Sequence, residues 1–149
     1  ALTATQLAAL STTGIEALTS TELAALTTTQ IAGLGARAVG ALLPAQVAAL
    51  ATTQIGALTA SEIAGLGADR VAALSTTQLA ALTTGQLAAL GDEGIQGLTS
   101  TQIAAMTTSQ LAALSATAIA GLSTTQLRAL GETAIAALST TQIRALTAT

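Results

Sequence analysis

The chain of 149 residues is 51% hydrophobic, yet it has no Phe, Trp or Tyr, and it lacks Cys and His. Charged side chains make up 7%, the net charge is −3, and Arg37, Arg70, Arg128 and Arg144 are the only fixed cations. Scattered arginines without a basic stripe or aromatic platform exclude nucleic acid as a partner, the missing cysteine removes disulfides and thiolate chemistry, and the apolar stretch from Ala38 to Ala45 is far short of the roughly 20 residues of a membrane helix.

Leucine returns every eight residues from Leu2 through Leu10, Leu18 and Leu26 to Leu138 and Leu146, with Met106 the one exception. Residues 1–149 therefore read as a single octapeptide-repeat array without a linker. In the first octad, Thr3 and Gln6 have the S/T-x-x-E/Q spacing of a capping box, with Thr3 as N-cap and Gln6 as third helical residue. Leu2 and Leu7 then occupy the two positions of a hydrophobic staple, so two start signals agree on one register.

Later octads test that register in order. Gly35, Gly67, Gly91 and Gly131 replace Ser or Thr at the cap, where Gly is among the better substitutes. Leu43 is the one chemically poor cap expected, and Pro44 follows it at the first helical position, which suits its fixed φ and missing N–H. Each octad is thus expected to form a helix of about six or seven residues, spanning about 10 Å, closed by a sharp turn. One continuous helix would rotate by about 800° per octad, so its apolar stripe would drift and no face could be buried. A β-solenoid fits less well, because the large residues fall at spacings of three and five and Ala and Gln are weak strand formers.

The expected fold is all-α, a tight α-solenoid of short capped helices with one helix per 8-residue repeat. Leu7 and Leu10 and their equivalents form its core ladders. The Ala9 position holds only Ala or Gly, as at Gly33, Gly65, Gly97 and Gly121, which predicts close helix approach rather than a left-handed turn. The Ala8 position accepts Glu16, Gln96, Arg128 and Arg144 and is expected to face water. Gly14, Ala38, Gly94, Ala118 and Ala134 replace the third-position Gln, Glu or Arg, and several gaps between them are multiples of three octads. Three helices per coil is one reading; two would also bury both ladders.

No catalytic, cofactor-binding or metal site is expected, since acid–base work needs titratable groups held together and the chain has no His, Cys, Lys or Tyr. Asp92 and Glu93 are assigned to the first and second helical positions, where they complement the helix dipole. Glu22 and Glu62 are read as capping-box partners and Arg70 as a solvated charge beside Asp69. The side chains able to act together are threonines. Stacking would align Thr12 and Thr13, Thr28 and Thr29, and Thr76 and Thr77 in rows, either as a soluble face with little charge or as a surface that binds ice or a polysaccharide.

The string Ala-Leu-Thr-Thr-x-Gln-Ile/Leu-Ala, seen at 25–32 and close to it at 137–144, resembles octapeptide arrays of very large secreted or surface-exposed bacterial proteins, exoproteins or adhesins. The resemblance implies an extracellular stalk or matrix component and carries over no functional residue. The open pattern at both ends suggests a segment of a longer array, with any secretion signal outside it. Head-to-tail self-association into filaments is the partner expected, since unclosed heterologous contacts propagate, and the protein is expected not to be an enzyme.

Overall fold

The computed structural model describes residues 3–147. Leu2 of the first staple and Ala148 and Thr149 of the last partial octad lie outside the described residues. All regular structure within them is helical. The first six helices are α1 (Ala4–Ala8), α2 (Thr12–Glu16), α3 (Ser20–Ala24), α4 (Thr28–Ala32), α5 (Ala36–Ala41) and α6 (Pro44–Ala49). Then come α7 (Thr52–Gly56), α8 (Ala60–Ala64), α9 (Ala68–Ala73), α10 (Thr76–Ala80), α11 (Thr84–Ala89) and α12 (Gly91–Gln96). The last six are α13 (Ser100–Ala105), α14 (Thr108–Ala112), α15 (Ala116–Ala120), α16 (Thr124–Ala129), α17 (Glu132–Ala136) and α18 (Thr140–Thr147).

The capping box sets many of the helix starts. Thr27 is extended (φ −70°, ψ 159°), its hydroxyl accepts from the Gln30 N–H, and Gln30 Oε1 accepts from the Thr27 N–H at 2.8 Å. Thr3 with Gln6, Ser75 with Gln78 and Thr99 with Gln102 repeat this geometry. Pro44 opens α6 as expected. Most helices have five or six residues, one fewer than expected, because the last turn tightens: Leu10 N–H donates to Leu7 O, three residues back, at 3.1 Å. Ala51 joins Leu43 as a cap without a side-chain hydrogen bond, which the sequence reading overlooked. Gly91 is not a cap; it lies inside α12 with φ +65°, so Asp92 and Glu93 are the second and third helical residues.

Helices too short to stand alone must be held by neighbours. Here each packs on the helix three octads further along: α1 on α4, α2 on α5, α3 on α6, and so to α15 on α18. The coil therefore has three helices, and this settles the alternative between two and three. Leu7, Ile15, Leu23, Ile31, Ile55 and Leu87 are completely buried, and Leu34, Leu58, Leu82 and Leu98 almost so, which makes the two aliphatic ladders the core. At roughly 1.5–3 kcal/mol per fully buried side chain they are the main source of stability.

The Ala9 position behaves as expected. Gly33 and Gly65 are right-handed (φ −90° and −77°), and a methyl group on either would come within 2.7 Å of the stacked coil, at Ala4 Cβ and Ala36 O respectively. Glu16, Gln96, Arg128 and Arg144 are not buried, so the Ala8 position does face water.

Candidate functional site

Three helices per coil divide the surface into three faces. The face built from α1, α4, α7, α10, α13 and α16 presents Thr28 and Thr29, Thr52 and Thr53, Thr76 and Thr77, Ser100 and Thr101, and Thr124 and Thr125, two from the start of each helix after α1. Most of these side chains are exposed, and Ser75 and Thr77 share a hydroxyl contact at 2.8 Å. The structure thus brings Thr28, Thr29, Thr76 and Thr77 into one row with Thr52 and Thr53 between them. Thr12 and Thr13 are elsewhere: they begin α2, which stacks on α5, where Ala36 and Arg37 interrupt the row. No acidic residue falls on the helices of the threonine face, and Arg128 is its one charge.

Behind the hydroxyls is a second device. Gln54 is buried, and its Oε1 accepts from its own cap, Ala51 N–H, at 2.8 Å. Its Nε2 donates across the stack to Leu23 O at 2.9 Å and Leu26 O at 2.7 Å, carbonyls at the end of a helix four octads earlier. Gln46, Gln78, Gln86, Gln102, Gln110, Gln126 and Gln142 make the same reach. One side chain thereby caps the start of its own helix and satisfies carbonyls left open at the end of another.

From the sequence alone the third-position Gln is legible only as a capping partner. The overlooked signal is that Glu caps as well as Gln, yet Gln dominates the third position; only an amide can also donate.

The charged residues serve the same joints. Glu62 is buried and closes a box with Thr59. Arg70 is not simply solvated: half-buried, it donates through Nε to Leu42 O, the carbonyl a Gln would take. Arg37 Nη2 donates to Leu10 O at 2.9 Å, from an octad whose third helical residue is Ala38. Glu22 is a box partner on an exposed corner, and its carboxyl is held below the ordinary value by the Thr19 N–H and then by the Thr19 hydroxyl. Asp92 Oδ1 accepts from Ser115 Oγ at 3.4 Å and Thr117 Oγ1 at 3.3 Å.

Among the described residues no group of three or more acidic side chains is placed to hold a metal ion. An open depression of about 550 Å³, lined by Gln96, Thr99, Ser100, Gly121, Ser123 and Gln126 among others, contains no titratable side chain, and Gln126 is committed to Ser123, Gln96 and Leu98. No helix of the described residues is long and apolar enough to cross a membrane.

Stacked three-helix coils joined by capping boxes and buried glutamines define an α-solenoid repeat protein. The chain belongs to the ALTTAQ repeat family, whose model matches residues 20–52, 47–84, 71–108, 79–116 and 119–149. No curated protein and no solved structure matches the chain.

Proposed function

We propose that the chain is a non-enzymatic structural repeat, a length-setting segment of an extracellular stalk, fibre or adhesin that also associates end to end. The observation that carries this reading is the stacking of every helix on one three octads away through the same ladders, reinforced at Gln46, Gln54, Gln78, Gln102 and other third helical positions by the same glutamine bridge. Length in such an array grows by adding coils, without any new type of contact. The surface on which one coil stacks on the next is apolar: the ladder residues Leu10, Leu18 and Leu26 are only partly covered, and Ile135 and Ile143 are 39% and 37% exposed, where no further coil of the described residues lies on them. The extracellular part rests on the resemblance to octapeptide arrays of secreted proteins and on the scarcity of Lys, Arg and aromatic residues, which leaves few protease sites.

Negative-stain electron microscopy across a concentration series, with immunogold labelling of intact producing cells, tests it. Filaments much longer than one array and label on the cell exterior are expected. Isolated short rods at every concentration would sink end-to-end association and leave a spacer; label confined to the interior would sink the extracellular role.

A second reading is favoured by the concentration of hydroxyls on one face and of nearly all charge on the other two. That threonine row would contact an ordered hydroxyl-rich surface, ice or a polysaccharide, with Thr28, Thr29, Thr76 and Thr77 in the contact and Thr12 and Thr13 outside it. Thermal hysteresis and sedimentation with insoluble glycans, measured for the natural chain and for a Thr52→Lys, Thr76→Lys variant, decide it. Equal behaviour of the two proteins would remove the reading.

A further inference from the structure

The glutamine bridges are blind to register, because a leucine carbonyl waits at the end of almost every octad. One joint is different. Glu62 has no N–H to offer, and the carbonyl 28 residues before it, that of Leu34, would meet a buried carboxylate. Instead Glu62 Oε1 accepts from the N–H of Gly35, 27 residues before it, at 2.9 Å, while Oε2 accepts from the Thr59 N–H and hydroxyl at 2.7 and 2.9 Å.

The Leu34 carbonyl and the Gly35 N–H belong to one planar trans peptide and point in opposite directions. Where a glutamine makes the bridge, the carbonyl of this peptide faces the amide; here it is turned over. Gly35 makes the turn with φ +79°, one of two positive-φ residues among those described. A Cβ there would meet nothing within 4 Å, so backbone torsion alone demands glycine. The octad of Gly35 has Ala38 in place of the third-position Gln, which frees the Gly35 N–H from its own box.

We propose that Glu62 and Gly35 are a matched pair that fixes the stacking register of this array. A slip of one octad would set Glu62 against the peptide before Thr27 or Leu43, and a slip of one coil against that before Ser11 or Thr59. None of these is glycine, and each would be strained at the φ of Gly35. A repeat whose glutamine joints are interchangeable thereby gains one joint that a slip of one octad or one coil cannot satisfy, which also selects against exchange with a segment of a second copy displaced by those amounts.

A double-mutant cycle on the full chain tests the pair. Gly35→Ser in the natural background should lower the folding equilibrium constant roughly tenfold. In the Glu62→Gln background the same change should cost nothing or stabilise, because the peptide returns to its usual orientation and the introduced hydroxyl caps α5 as that of Ser115 caps α15. Amide exchange at Gly35 should quicken about tenfold or more in Glu62→Gln. Transplantation gives a second arm. Gln142→Glu sets a carboxylate against the Leu111 and Leu114 carbonyls and should destabilise, Ser115→Gly should restore most of that loss, and Ser123→Gly, one octad away, should not. Equal costs of Gly35→Ser in both backgrounds, unchanged exchange at Gly35, or equal rescue by the two glycines would overturn the proposal.

Discussion

Gln102→Leu is expected to lower stability by about 3 kcal/mol or more, although leucine is similar in volume and more apolar. The substitution leaves three buried or half-buried groups short of a partner: the Thr99 N–H and the Val71 and Leu74 carbonyls, now held at 2.7, 2.8 and 2.7 Å. Each buried polar group deprived of its hydrogen bond costs about 1–3 kcal/mol, and Val71 O keeps some compensation because it also accepts from Leu74 N–H. The loss falls inside the array, where a repeat protein depends on nearest-neighbour interfaces. Urea unfolding followed by helical circular dichroism should show an earlier midpoint and a shallower slope, as the two sides of the weakened joint begin to melt separately. A midpoint within experimental error of the natural chain would refute the bridge as a stabilising element.

Leu87→Ala is expected to cost about 2–5 kcal/mol, because a completely buried side chain is removed from a ladder that short rigid helices cannot collapse to fill. Leu43→Ala provides the internal contrast. Leu43 is 44% exposed and its change should fall within about 0.5 kcal/mol. Comparable losses at the two sites, in parallel urea titrations, would mean that the ladders are not the main source of stability.

Much of this fold is legible in the sequence because each octad repeats the same local decisions. Thr3 with Gln6, Pro44 at a helix start and the strict Ala or Gly at the Ala9 position are local signals, and the structure uses them as read. The coil number was less accessible, since both ladders can be buried by more than one stacking and only contacts between helices decide it. Joints were misread where a residue has two duties. Arg70 looked like a surface charge because its acceptor, Leu42 O, is 28 residues away, and Gly91 looked like a cap because its backbone conformation is invisible in composition. The threonine pairs were recognised as potential rows, but which pairs share a row follows only from the coil; Thr12 and Thr28 are two octads apart and fall on different faces.

The offset of the glutamine bridges bears on damage. A helix rests on the one three octads back, whereas its glutamine grips the end of the one four octads back, so each bridge straddles the joint between two consecutive helices. α7 is an instance, resting on α4 while Gln54 holds the end of α3. Masonry laid with staggered seams has the same property: no seam runs through two courses. A single cut between α3 and α4 leaves both cut ends fastened to the course above, so a scissile bond in a turn is not a point at which the rod parts.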